Sequence, residues 1–470
     1  MAIINPNGQK LVQVSTDYFG KKLTLEVGLV GFRSTASVLV RYGETVVLGT
    51  AMSGNAIPGM DYFPMTIDYE EKFYAAGKIS GSRFIKREGR PSDEAILIGR
   101  LIDRPMRPLF PKGYRNELQL VATVLSADPT FRPDAIAMIA ASTALMLSGT
   151  PFDGPVAGLR VGLDEKGEFQ TFLSREVMHN NKLDLFVAGT ENGVMMVEAG
   201  ANEVDEDKVA DAIEWALKNI QPAIKLQREL VEKIKVVAKE YELVKPNEDI
   251  QKAVDDWLEG KLGEALRKDY PERNELVAVL RDEFHTAFTE KIGDEYSEMK
   301  SEYDEAFTQA VHSDVRKGIV QEGIRPDGRK TTDVRPLSSE VGLLPRAHGS
   351  SLFTRGVTQA MNIVTLAPLS YAQMVDTMES NDDERRYMHH YNAPSYTVGE
   401  CGRLGSPGRR EIGHGYLAER ALEPVLPDEE DFPYAIRSVT EIMSQNGSTS
   451  MAATCSSCMA LICRSGRRDG

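Results

Sequence analysis

The feature that most constrains this chain is that it repeats itself. Setting residue n beside residue n+313 places Arg33 on Arg346, Ser37 on Ser350, Leu39 on Leu352, Gly43 on Gly356 and Thr45 on Thr358. In the first repeat the β-rich runs 23–27, 37–42 and 45–48 surround Gly43-Glu44, a pattern that predicts a hairpin. With the offset at 316, residues 109–111 fall on 425–427, and Ala135, Ala144 and Leu145 fall on Met451, Ala460 and Leu461. The first of these last two stretches predicts a helix over 134–147. The pattern therefore calls for an α/β (α+β) unit that occurs twice.

Between the repeats lies a segment of different character. Residues 201–310 hold 28 acidic and 16 basic side chains, most of the −15 net charge of the 470-residue chain. Val209, Ile213 and Leu217 recur every four residues, and Leu230, Ile234, Val237 and Tyr241 follow at helical spacing, so an all-helical insert is predicted. The expected organisation is a first unit with its core over 1–150 and its remaining sheet over 151–204, and an acidic helical domain over 205–320. A second unit over 321–461 and an aberrant tail over 462–470 complete it. The second unit is expected to be incomplete. The first continues through β-patterned stretches at 154–162, 183–189 and 193–198 that have no counterpart after Leu461, which reads as a truncated or frame-shifted end. Met451, Met459 and Leu461 should then lack partners.

Composition excludes several classes. With 41% apolar and 27% charged residues the chain is neither collagenous nor disordered, and its longest weakly polar run, 135–147, is too short for a bilayer. Residues 1–10 lack the charged and apolar regions of a signal peptide, so a cytoplasmic protein with no membrane partner is expected. Four cysteines (Cys401, Cys455, Cys458, Cys463) are too few for a disulfide framework, and Cys455 and Cys458 have no second pair at zinc spacing. The acidic balance argues against a surface coated for nucleic acid, so any such site is local.

Three local constellations carry chemistry. Asn446-Gly447-Ser448-Thr449-Ser450 stands directly before an apolar run. Ser448, Thr449 and Ser450 thus lie where free N–H groups and the helix dipole favour a phosphate; the simpler alternative is an ordinary helix cap. In the stretch 405–415, Arg409 and Arg410 offer guanidinium forks suited to phosphate oxygens, and His414 stands between two glycines; a solvated helix start is the alternative. Residues 84–90 place Lys86, Arg87 and Arg90 beside Phe84, a set able to stack a base and hold a backbone, or simply a basic surface loop. The first repeat has Phe131-Arg132-Pro133-Asp134 where the second has the hydroxyl cluster.

Taken together, Gly89-Arg90-Pro91-Ser92, the arginine-proline run over 100–110, Arg325-Pro326-Asp327-Gly328-Arg329, the stretch 405–415 and Asn446 to Met451 closely resemble the bacterial polynucleotide phosphorylases (polyribonucleotide nucleotidyltransferases). The resemblance runs from about residue 5 to Leu461. It implies two ribonuclease PH-like units flanking an all-helical domain, a homotrimeric ring around an RNA channel, and Mg²⁺-dependent 3′→5′ phosphorolysis of RNA. In that reaction inorganic phosphate releases nucleoside diphosphates, and the reverse is template-free polymerisation. RNA degradosome components are implied as partners. By motif, Ser448, Thr449 and Ser450 would bind phosphate, Arg409 and Arg410 would hold phosphates of RNA or nucleophile, His414 would sit near the scissile group, and Lys86, Arg87 and Arg90 would grip RNA. Lys86 and Ile85 stand where the family often has Arg and Phe, and Thr449 where it often has Ser. The family's metal-binding carboxylates, and its KH-type and OB-fold domains, lie beyond the end of this chain, so no metal ligand is named. Two other classes remain open: a non-catalytic fragment that binds RNA or oligomerises through its first unit, and a hydrolytic exoribonuclease of related fold.

Overall fold

Gly43 and Gly356 each take a left-handed conformation, φ +57° and +59°, as the first residue of a two-residue turn, and each closes the hairpin expected from the repeat. The computed structural model describes residues 11–462 apart from 58–59, 61, 81–85, 245–246, 269–270 and 381–382. Phe84, Ile85 and the tail 463–470, with Cys463, lie outside the described residues.

In the first repeat, β1 (Val12–Tyr18), β2 (Lys21–Val27), β3 (Ala36–Tyr42), β4 (Thr45–Ala56) and β5 (Met65–Glu70) precede helix α1 (Asp93–Met106). Strand β6 (Asn116–Ser126) and helix α2 (Asp134–Ser148) follow. The sheet order is β1-β2-β3-β4-β6-β5, with β6 antiparallel to β4 and parallel to β5. A second sheet of order β10-β9-β7-β8 follows, built from β7 (Ala157–Leu163), β8 (Phe169–Thr171), β9 (Leu183–Gly189) and β10 (Val194–Ala201), with the short α3 (Arg175–His179) between β8 and β9. Helix α2 is sandwiched between the two sheets, and Asp134 to Leu145 are buried on every face.

Two expectations for the insert change. Helices α4 (Glu206–Asn219) and α5 (Gln221–Ile234) pack on the first repeat's strands and not on the helices after them. The buried stripe of α4 is Ala212 and Ala216, beside the half-buried Val209, Ile213 and Leu217. Helix α5 stops at Ile234, short of the expected Val237 and Tyr241, because Lys235 turns left-handed at φ +58° and the chain extends until Lys239 N–H donates to the Gly149 carbonyl. Val237 is 83% exposed.

The chain falls into two compact units, one holding both repeats (Met1–Glu242, Ser339–Phe353 and Thr358–Gly470), the other Leu243–Ser338 with Thr354–Val357. The helical unit thus begins at Leu243, not at 205. It contains α6 (Glu248–Leu258), α7 (Leu262–Leu266), α8 (Glu272–Ile292) and α9 (Tyr296–Lys317), closed around Val254, Leu258, Phe284, Phe288, Tyr303 and Phe307.

The second repeat rebuilds the first. Its sheet runs β11 (Leu337–Val341), β12 (Gly349–Arg355), β13 (Thr358–Pro368), β17 (Tyr434–Ser444), β16 (Tyr387–Asn392), with β17 antiparallel to β13 and parallel to β16. A small ribbon, β14 (Gln373–Val375) with β15 (Asp383–Arg385), stands apart. Helix α10 (Arg409–Leu422) repeats α1, and α11 (Thr449–Ile462) repeats α2. Among the described residues no second sheet covers α11: Met451 is 48% exposed, Ile462 77%, and Met459 and Leu461 are half-buried. No described helix is long and apolar enough to cross a membrane.

Candidate functional site

A helix normally starts with acidic residues, because its N-terminus carries partial positive charge. Helix α1 obeys: Ser92 Oγ accepts from Ala95 N–H, and Asp93 and Glu94 fill the first turn. Helix α10, of the same length and place in the repeat, opens with Arg409 and Arg410 behind Gly408. Two cations there cost about 0.3–1 kcal/mol each, a local conflict of the kind found where a site is built. Glu411 offsets part of it, accepting from Gly408 N–H at 2.6 Å and from Ala393 N–H at 3.2 Å.

The two arginines go to different partners. Arg409 donates to the Asp68 carboxylate and the Ile67 carbonyl, both on β5 of the first repeat. Arg410 forms no ion pair among the described residues; its Nε donates to His414 Nε2 at 3.2 Å, one helical turn on. Burial, then the charges of Arg410 and of Arg100 on α1, lower the His414 pKa to about 4, so the imidazole is neutral at pH 7 and Nε2 is an acceptor. Arg100 lies against Gly413, where a Cβ would meet its Nε at 2.5 Å, so a larger residue there would push the Arg100 guanidinium aside.

The His414 ring rests on Tyr391, centroids 5.1 Å apart, and the buried Tyr391 hydroxyl donates to Thr449 Oγ1 at 2.8 Å. This chain of contacts brings Arg410 and His414 to the start of α11. Gly447 and Ser448 precede that helix in left-handed conformations, φ +79° and +53°; Ser448 is exposed, Thr449 and Ser450 buried. Thr358 Oγ1 holds the loop by accepting from Asn446 N–H at 3.0 Å, as Thr45 Oγ1 in the first repeat accepts from Asp128 N–H at 2.9 Å. The repeat thus preserves the tether as well as the hairpin.

In the first repeat the corresponding position is neutralised from within. Glu94 stands where Arg410 does, and its carboxylate pairs with Arg132, which replaces Ser448, and with Arg175. Arg132 also reaches Glu379 at 3.3 Å. Of the basic-loop residues, Lys86 (φ +51°), Arg87 and Arg90 are exposed, and Arg90 donates to the Pro407 carbonyl at 3.0 Å, just before α10. Sequence inspection missed Asp68, Arg100 and Tyr391. For Tyr391 a signal existed, since Tyr69 occupies the same place on the parallel edge strand of the first repeat, β5 against β16.

No group of three or more His, Cys, Asp or Glu side chains among the described residues is arranged to hold a metal ion. The site's own groups are guanidinium and hydroxyl donors, suited to an anion and unsuited to Mg²⁺.

The model of the 3′ exoribonuclease family, domain 1, matches residues 20–151 and again 333–464, and that of domain 2 matches 173–219. Residues 249–330 match the RNA binding domain of polyribonucleotide nucleotidyltransferase. The chain is 45% identical over 449 residues to the polyribonucleotide nucleotidyltransferase of Staphylococcus carnosus, 46% over 455 to that of Halothermothrix orenii, and 44% over 457 to that of Bacillus licheniformis. These alignments cover 95–97% of this chain and 64% of each relative, so the chain spans under two thirds of the curated relatives it matches. With both repeats matched by one family model, the chain belongs to the 3′ exoribonuclease family.

Proposed function

We propose that this chain is the ribonuclease PH-type core of a polynucleotide phosphorylase, a phosphate-dependent 3′→5′ exoribonuclease that degrades single-stranded RNA to nucleoside diphosphates and runs in reverse as a polymerase. The observation that carries the reading is the contact chain from Arg410 through His414 and Tyr391 to Thr449, which joins a guanidinium with no ion pair among the described residues to a hydroxyl-rich helix start. A hydrolase would need no such phosphate cradle.

Ser448, Thr449 and Ser450, with the free N–H groups of α11, hold inorganic phosphate. One of its oxygens bonds to the terminal phosphorus of RNA as the bond to the preceding 3′ oxygen breaks. The electron pair leaves with that oxygen, which gains the proton given up by the phosphate, and a nucleoside diphosphate departs. Arg410 counters the charge on the transferring group, and Arg409, held on Asp68 and the Ile67 carbonyl, fixes the helix turn that carries it. His414, neutral, orients Arg410 and supplies no proton at pH 7. Lys86, Arg87 and Arg90 hold the RNA backbone, a salt-sensitive contact. Mg²⁺ belongs to the proposal through the resemblance, although the described residues offer it no ligand set. A cytoplasmic homotrimer and RNA degradosome partners rest on the same resemblance, and the helical domain, expected over 205–320 from its charge and spacing, is taken to begin at Leu243.

The test is nucleoside diphosphate release from poly(A) with phosphate and Mg²⁺ present. Ser450→Ala should raise the KM for phosphate about tenfold, the loss of one hydrogen bond to a charged ligand. RNA retained on a filter with no diphosphate released would favour a non-catalytic RNA-binding role.

A further inference from the structure

We infer that Asp68, on the first repeat, is a positioning residue for the site on the second: it locks the Arg409 guanidinium and with it the first turn of α10. The inference rests on the proposed phosphorolytic reading. Three observations carry it. The guanidinium is held on two acceptors of one strand, the Asp68 carboxylate and the Ile67 carbonyl, which removes its freedom to swing. That strand is rigid: β5 pairs along its whole length with β6, and Ile67 and Tyr69 on either side of Asp68 are 2% exposed. Finally, the arrangement is not part of the repeated architecture. The residue that matches Asp68 on β16 is His390, which turns instead to Arg437, whose Nε lies 3.2 Å from His390 Nδ1.

The consequence is a division of labour between neighbouring arginines. Left alone, two guanidiniums at a helix start repel each other and the dipole, and either could fold back over the anion position. Asp68 neutralises one and leaves Arg410, on the His414 face of the helix, as the uncompensated charge. Glu411 braces the backbone of this turn through Gly408 and Ala393 N–H, and the contact across to β5 is what fixes the Arg409 side chain on it.

The experiment is steady-state phosphorolysis by the whole chain and its variants, with phosphate varied. Asp68→Ala should lower kcat/KM for phosphate about tenfold, within the cost of misplacing a reacting group by about 1 Å. The loss should come mainly from a higher KM, with Asp68→Asn, which keeps an acceptor but not the charge, in between. In an Arg409→Ala background the Asp68→Ala loss should vanish, because its only route is gone. Thermal melts of each variant separate this from unfolding, and Asp68→Asn serves if Asp68→Ala does not fold. Wild-type kinetics in both Asp68 variants, or an Asp68→Ala loss that persists without Arg409, overturns the inference alone. A wild-type chain that releases no diphosphate overturns the functional reading and this inference with it.

Discussion

Substituting Gly49 by alanine tests whether the first repeat is held by direct contact of helix backbone on strand. A Cβ at Gly49 would lie 2.4 Å from the Ala140 carbonyl oxygen and 2.6 Å from its carbon, where ordinary contact begins at 3.4 Å. Helix α2 must therefore withdraw by about 1 Å, which forfeits a quarter to a half of each contact it makes on that face. It cannot slide aside, because the second sheet packs on its other side. The expected loss is about 3 kcal/mol, the upper end for overpacked cores. The assay is urea denaturation followed by the fluorescence of Trp215, on α4 against Phe19 and Phe169, in a Trp257→Phe background. With a slope of about 3 kcal/mol per molar the midpoint falls by about 1 M. Gly263→Ala is the control: it sits in α7 with nothing within 4 Å and should leave the Trp215 midpoint unchanged. A Gly49→Ala midpoint within about 0.2 M of wild type would refute the reasoning.

Arg160→Met takes the ion-pair partner from the buried Asp134 carboxylate and leaves Asp184 with Arg420 alone, and should cost about 3–5 kcal/mol by denaturation at pH 7. Burial raises the Asp184 pKa, but Arg160, Arg420 and Arg132 hold it below the usual carboxylate value. The wild-type advantage is therefore present above about pH 4 and shrinks as pH falls through the lower folded value; a variant equally unstable at pH 3 and pH 7 contradicts this. Burial pushes Glu419 up to about 7, so the folded state binds the extra proton between about pH 4.5 and 7 and stability is lost as pH rises through that window. Glu419→Gln should then gain on wild type by on the order of 2–3 kcal/mol more at pH 8 than at pH 4, measured by melts at both. Thr358→Val removes the acceptor for Asn446 N–H and should raise the phosphate KM severalfold, while melts shift by about 1 kcal/mol; an unchanged KM argues that the loop is held elsewhere.

Much of this protein is local, and local features can be read from residues in order. The two hairpins follow from a glycine free to turn left-handed between strand-patterned runs, and α2 from a long apolar stretch; both then recur because the chain repeats. The hydroxyl cluster and the paired arginines were visible because their chemistry lies within a few consecutive residues, at a helix start. What tertiary packing alone settled concerns partners far apart in the chain. That α4 and α5 join the first repeat follows from which apolar faces meet, and periodicity cannot tell one sheet from another. Helices α2 and α11 carry similar apolar patterns, yet one is buried all round and the other exposes Met451 and Ile462, because a second sheet covers only the first among the described residues. Arg409 and Arg410 are neighbours with the same chemistry. One meets Asp68, 341 positions away, and the other faces His414, because successive helical residues point about 100° apart and only the fold supplies what lies in each direction.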